Sequence, residues 1–334
     1  MSISGVPKDD LPDSETERHA ALRDYFCDID GDATLSHAGW DIALHWPGGP
    51  DRHVDPRLTE GLVWWGDGVT LPTMVHARRR RGRILSALYD TWTLHSWSEW
   101  IRRERVSRDE RLVVLHVDDH RDLGSPRLFE SDGTWIDSIT RNPCRLDQPD
   151  TVLAAIESGA IGMGSFMTPF LHGFPGTEVR QLCQPPKAGP TKDFVIELTS
   201  IRDTLIDRRR VRPAISLSEN TDGGSCGRYR LTTSPTDWLD ELGDQRILLH
   251  IDMDYFNNRY DGDTDWQHRA VPLDPPNDQL LAKIDEVTDA LAHAVRADQL
   301  VDIVVAYSPG FFPAEFWATA TQRLIPRLER IYER

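Results

Sequence analysis

The chain has 334 residues, 28% of them charged and 39% hydrophobic, with a formal net charge of -16. This composition describes a globular chain long enough to bury a large core and excludes a disordered polymer. The acidic balance excludes a general nucleic-acid binder, which needs an excess of Lys and Arg against phosphates, and suits cationic ligands such as metal ions or guanidinium groups.

Residues 1–18 are polar and acidic and predict a flexible N-terminal tail; they have neither the basic nor the apolar stretch of a secretory signal. No apolar run approaches the roughly 20 residues that span a bilayer. Cys27, Cys144, Cys183 and Cys226 form no Cys-x-x-Cys pair, which argues against zinc ribbons and redox dithiols and fits a reducing cytoplasm. The basic run at 77–83 reads as a solvated loop or helix end. Short apolar runs at 83–89, 112–117, 194–198, 247–251 and 301–307 predict strands buried on both faces. Helical periodicity marks 151–157, 277–297 (Leu280, Leu281, Ile284, Val287, Leu291, Val295) and 313–332, with Pro313 suited to a first turn. The alternation predicts an α/β fold, a three-layer α/β/α arrangement with a mainly parallel sheet, formed by residues 19–334 as one domain. The Ser-, Thr-, Asp- and Gly-rich stretch 216–236 predicts a loop insertion.

Two of the strands run into acidic motifs. Leu112–Val117 continues into Asp118-Asp119-His120-Arg121-Asp122, and 247–251 continues into Asp252-Met253-Asp254-Tyr255-Phe256. Residues two apart on an extended chain share a face, so Asp118, His120 and Asp122 can converge, as can Asp252 and Asp254. Open α/β sheets bind ligands at the carboxyl ends of their strands. If these ends are neighbours, four carboxylates meet, and like charges about 4 Å apart repel by roughly 4 kcal/mol at an effective dielectric of 20. Two divalent cations would balance them, and carboxylates with an imidazole and no thiolate suit Mn or Mg. Asp119, His116 and His250 are expected to be non-ligands, the two histidines in hydrogen-bonded structural roles.

The first motif resembles the Asp-Ala-His-x-Asp signature of arginases and agmatinases, and Asp252-Met253-Asp254 resembles their later Asp-x-Asp. The fuller wording, His-x-Asp-x-His-x-Asp-Leu and then Asp-x-Asp-Tyr-Phe, is similar to a divergent branch of this ureohydrolase superfamily. That branch includes peptide arginases, which convert arginine side chains of ribosomally made peptides to ornithine. The resemblance covers roughly residues 85–330. It implies an arginase-like fold and two divalent ions, manganese by preference, with Asp118 and Asp252 bridging them. Asp122 would complete one ion, and His120 and Asp254 the other. His95 would be the family's upstream histidine, and Glu315 the glutamate that grips the guanidinium. Asp122 would pass a proton to the departing amine. Trp135 stands where the family's proton-shuttle histidine is expected; His172 is the candidate substitute, with a buried structural role as its alternative. Leu123-Gly124-Ser125-Pro126 replaces the polar residues that hold a free amino acid, so the implied partner is an arginine-containing precursor peptide, released as an ornithine peptide and urea. Other hydrolysis on the same scaffold (agmatinase-like or amide deacetylation), phosphoester chemistry, and a non-catalytic peptide-binding protein with a retained metal site are the alternatives. Homo-oligomerisation stays open.

Overall fold

Burial on both sides decides which strands lie in the middle. Ile84–Ala87, Leu112–Val117, Arg246–Asp252 and Leu300–Ala306 are almost wholly buried along their length, which only an interior strand of a helix-covered sheet satisfies. The computed structural model describes residues 1–48, 53–131, 133–219, 227–269, 271 and 273–333. In chain order, β1 (Ser2–Val6), α1 (Glu15–Phe26), β2 (Asp30–Ser36), β3 (Gly39–His45) and α2 (Leu58–Trp65) precede β4 (Arg78–Arg81), β5 (Ile84–Ala87), α3 (Trp92–Glu104) and β6 (Leu112–Val117). Then come β7 (Leu128–Ser131), β8 (Thr134–Asp137), β9 (Pro143–Cys144), α4 (Pro149–Glu157), α5 (Met167–Gly173), β10 (Glu178–Leu182), β11 (Lys192–Arg202), β12 (Val211–Ser218) and β13 (Arg228–Thr232). The chain ends with α6 (Pro235–Leu239), β14 (Arg246–Asp252), α7 (Asn277–Ala294), β15 (Leu300–Ala306) and α8 (Trp317–Tyr332).

The protein is a mixed α/β structure around a nine-stranded sheet of order β12-β11-β13-β10-β6-β14-β15-β5-β4. The six strands from β13 to β5 are parallel to their neighbours, and β4, β11 and β12 pair antiparallel at the edges. Helices surround the sheet: α3 packs on α4 and β15, while α6, α7 and α8 pack in series. The 194–198 run is therefore part of an antiparallel strand near the edge, and its outer half exposes Leu198 and Ile201. Among the described residues no helix is long and apolar enough to cross a membrane, and Cys144 and Cys183 are free thiols.

Three expectations need correction. Residues 1–18 form β1 and the start of α1 rather than a tail: Ile3 and Val6 are buried, and the Met1 ammonium donates to the Leu44 carbonyl at 2.9 Å. The apparent insertion at 216–236 contains the end of β12, all of β13 and the start of α6; residues 220–226, Cys226 included, lie outside the described residues. The arginine run at 78–81 is the edge strand β4. Its residues are exposed, as expected of a solvated run, while the guanidiniums also make contacts: Arg78 over the Trp92 ring (3.6 Å), Arg79 over Trp65 (4.3 Å), Arg80 on Asp302 (3.1 Å) and Arg81 on Glu329 (2.5 Å).

Candidate metal centre

The register of the parallel strands assembles the site. His116 of β6 sits beside His250 of β14, Val117 beside Ile251, and Asp252 beside Ala306 of β15, which in turn faces Ala87 of β5. The residues just beyond these positions, Asp118, Asp252–Asp254, Ser308 and Asp90, therefore leave the sheet along one carboxyl edge. They surround a cleft of about 240 Å³, lined by Asp90, His120, Asp122, Asp252, Asp254 and Ser308. Leu123, Met163 and Phe311 add apolar wall.

Backbone geometry is strained here. Asp122 (φ 54°), Asp261 (φ 50°) and Ser308 (φ 41°) all adopt left-handed conformations, uncommon for residues with a side chain and frequent at functional sites. Gly124 makes the turn after the first motif close-packed, since a Cβ there would lie 2.8 Å from the Gly164 carbonyl oxygen. Gln181 of β10 fixes the motif's backbone from beneath: its amide donates to the carbonyls of Asp118 (2.9 Å) and His120 (2.5 Å), and the Tyr229 hydroxyl donates to its Oε1 at 2.6 Å.

The side chains interlock. His120 Nδ1 lies 2.8 Å from Asp254 Oδ2 and 3.6 Å from Asp118 Oδ1, and the His120 N–H donates to Asp118 Oδ1 at 2.5 Å. The Asp254 N–H donates to Asp252 Oδ1 (3.2 Å), and Ser308 Oγ donates to Asp252 Oδ2 (2.5 Å). Asp90 Oδ2 accepts from the Gly164 N–H at 2.7 Å. Asp90 Oδ1, Asp118 Oδ2 and Asp122 Oδ2 are buried with no hydrogen-bond partner. Such orphaned acceptors are costly in a protein interior.

Electrostatics point the same way. Burial pushes the Asp118 carboxyl well above the ordinary carboxylate range, and the charges of Asp122, Asp254 and Asp252 push it further. Burial likewise raises Asp252, with Asp254 next, and Asp90, with Asp122 next. Burial also raises Asp122. For His120 burial favours the neutral ring, yet Asp254, Asp118 and Asp261 together hold its proton far more tightly than usual. An acidic cluster of this kind is held together by protons or by cations.

The expected ligands Asp118, His120, Asp122, Asp252 and Asp254 are thus brought to one place. Two groups have donor atoms close enough to share an ion: Asp118, His120 and Asp254, and His116, Asp118, Asp122 and His250. In the second group three of the four imidazole nitrogens are already hydrogen-bonded, and His250 Nε2 is buried without a partner. His116 Nε2 donates to the His120 carbonyl (3.0 Å), so His116 Nδ1 accepts from His250 Nδ1 (3.0 Å), a tautomer assignment that follows from the network. Asp119 turns away, its oxygens accepting from the Gln184 N–H (3.1 Å) and the Asn258 amide (3.3 Å).

The other expected residues lie elsewhere. His95 is within α3 with its ring against Trp92 (5.6 Å), because the chain turns into a Trp-rich helix directly after Asp90. Glu315 pairs with Arg259 (2.8 Å) and Arg57 (3.8 Å) and does not line the cleft. His172 ends α5, where it packs on Trp135 and bonds the Ala214 carbonyl. Its cavity includes Arg108, which precedes β6, and Phe174, which precedes β10, so it lies toward the amino ends of the strands. Asp90 and Ser308 escaped the sequence reading. Both follow an apolar strand within three residues, the same signal that exposed the two motifs.

No family model matches the chain, and no curated protein matches it.

The donor set fits hard divalent cations: carboxylates predominate, one imidazole joins them, and among the described residues no thiol lines the cleft.

Proposed function

We propose that this chain is a metal-dependent hydrolase of the arginase type, acting on the guanidinium group of an arginine side chain within a peptide and giving urea and an ornithine residue. The observation that carries the reading is the meeting of Asp90, Asp118, Asp122, Asp252, Asp254 and His120 at adjoining strand ends, with three carboxylate oxygens buried and unpartnered. Asp118, His120 and Asp254 would hold one divalent cation; Asp122 and Asp90 would complete a second, with Asp118 and Asp252 between them. Asp90 takes the place assigned by resemblance to His95. When bound, such a pair, manganese in this proposal, makes water acidic enough to supply hydroxide near neutral pH.

The chain's own residues do the rest. The cleft presents negative charge to a guanidinium whose own pKa exceeds 12. Leu123, Met163 and Phe311 flank it, which suits the aliphatic stem of an arginine and restricts water. Asp122, in the cleft with one oxygen unpartnered, is placed to take a proton and hand it to the departing amine. Glu315 is paired with Arg259 through Oε1 and lies outside the cleft lining, so guanidinium binding falls to the cleft carboxylates.

The test is mass spectrometry of arginine-containing peptides incubated with the manganese-loaded protein. A loss of about 42 Da per arginine, the net change from guanidine to amine at a centre of this kind, with urea in equal amount, is the expected result. Unchanged peptides across a broad panel, with metal bound, would refute it.

A further inference from the structure

We propose that Asp261 is the positioning carboxylate of this centre, fixing His120 in the tautomer that offers Nδ1 to a cation. The inference rests on reading the cluster as a metal site and extends it to a residue outside both motifs.

The His120 ring is gripped at both nitrogens. Nδ1 faces Asp254 Oδ2 at 2.8 Å, and Nε2 lies 2.8 Å from Asp261 Oδ1. Ionised carboxylates only accept, so in the metal-free fold each nitrogen keeps a hydrogen, Nε2 toward Asp261 and Nδ1 toward Asp254; a cation between Nδ1 and Asp254 would replace the Nδ1 hydrogen while Asp261 holds the one on Nε2. Carboxylate partners of this type orient ligating imidazoles and raise their basicity. Lys187 pulls the other way. Its Nζ lies 2.9 Å from the same Nε2, and an ammonium only donates. Acting alone, Lys187 would favour a bare Nε2 and a hydrogen on Nδ1, the tautomer that cannot ligate through Nδ1. Asp261 Oδ1 also takes Lys187 Nζ at 2.5 Å, so one oxygen draws off the competing donor and receives the imidazole N–H.

The loop that carries Asp261 is held firmly. Its left-handed φ of 50° is maintained by pairing on both sides: the Gly262 N–H donates to the Gly310 carbonyl (3.0 Å), and the Tyr260 hydroxyl donates to Asp55 (3.0 Å). The Asn258 amide donates to Asp261 Oδ1 at 2.9 Å. Backbone strain held by surrounding contacts marks a functional position.

The experiment is Mn2+ titration of the full chain, followed calorimetrically, for wild type, Asp261→Ala, Lys187→Ala and the double variant. Asp261→Ala is expected to weaken binding at one ion by about 10- to 100-fold, the usual cost of losing such a partner. Lys187→Ala should bind as well as wild type, and adding it to Asp261→Ala should recover part of the loss, because the competing donor is gone. Wild-type affinity in Asp261→Ala, or a double variant no tighter than Asp261→Ala, overturns the proposal, since a merely structural loss is not rescued at Lys187. Should the alanine variant fail to fold, the isosteric Asp261→Asn carries the same test, with a loss of several-fold expected and wild-type affinity overturning it. A wild-type chain that binds no Mn2+ sinks the underlying metal reading as well; tight wild-type binding with an indifferent Asp261 sinks this inference alone.

Discussion

Neutralising Asp118 or Asp252 without changing its shape separates catalysis from folding. Each carboxyl is buried and held well above its usual range by burial and then by its neighbours' charges, so its ionised form opposes the metal-free fold. Asp118→Asn and Asp252→Asn are therefore expected to abolish urea release and weaken metal binding, while the metal-free melting temperature stays at or above that of wild type. Thermal melts of EDTA-treated protein beside a urea assay decide it; normal urea release from either variant would sink the bridging assignment. Asp90→Ala carries a parallel prediction: about half the bound metal is lost, and His95→Ala loses none, by elemental analysis of dialysed protein. The contrast shows what was legible in the sequence. Alternating acids after an apolar strand share a face by simple geometry, so Asp118, His120, Asp122, Asp252 and Asp254 could be read. Asp90 is a single acid with no alternating partner, and an imidazole nearby is the more ligand-like group. Only the start of α3 at Trp92 removes His95 from the edge, and that turn is decided by packing of Trp92, Trp97 and Trp100, all buried.

Between elements, the loops that frame the cleft are tied by one residue far from both motifs. Asp55, 4% exposed, accepts from the Ala314 N–H (2.7 Å) and the Arg57 N–H (2.8 Å), and from the Tyr260 hydroxyl (3.0 Å). It joins the approach to α2 to the loop after β14 and to the turn before α8. Asp55→Ala leaves the buried Ala314 N–H and Tyr260 hydroxyl unsatisfied, each costing about 1–3 kcal/mol, so a total loss of about 3 kcal/mol is expected in urea denaturation. A loss under about 1 kcal/mol would show that water replaces the carboxylate. This tie was invisible in the sequence because its partners are 205 and 259 residues away. The arginine strand β4 was misread for a related reason. Four consecutive exposed arginines read as a loop or helix end until the pairing with β5 and the contacts to Trp65, Trp92, Asp302 and Glu329 are known. The same charges guard an exposed sheet edge against pairing with another chain. The parallel centre of the sheet was legible because full burial leaves continuous apolar runs, whereas β10 and β13 carry arginines and a glutamate whose partners are distant or local polar groups: Arg180 pairs with Glu178 and reaches the carbonyls of Trp238 and Glu241 (3.3 Å each), and Arg230 pairs with Asp193 of β11.

Across the whole molecule, protons and the proposed cations would compete for the same acids. In an unfolded chain the carboxyls of Asp90, Asp118, Asp122 and Asp252 ionise near pH 4. In the fold burial holds all four above that, and it pushes their neighbour Asp119 up to about 7, with the charge of Asp254 second. Below about pH 4 both states are protonated and these groups do not affect stability. As pH rises from there toward about 7, the unfolded chain releases its protons first while the metal-free fold retains them, so these groups remove stability over that window. Groups depressed in the fold act outside it: Asp261, held down against burial by His120 and Lys187, contributes stability above the ordinary carboxylate pKa that is lost only on acidification. Burial drives His116 and His250 toward the neutral form. Cations need the carboxylates ionised and displace those protons. The rise in melting temperature on adding Mn2+ should therefore be near zero at about pH 4, grow through about pH 7, and be accompanied by proton release that calorimetry in buffers of different ionisation enthalpy can count. In Asp118→Asn the growth should flatten, because one of the competing protons is gone. A metal-induced shift that is the same at pH 5 and pH 7, or that shrinks as pH rises, would mean that Mn2+ binds at some surface carboxylates and not at the buried strand ends.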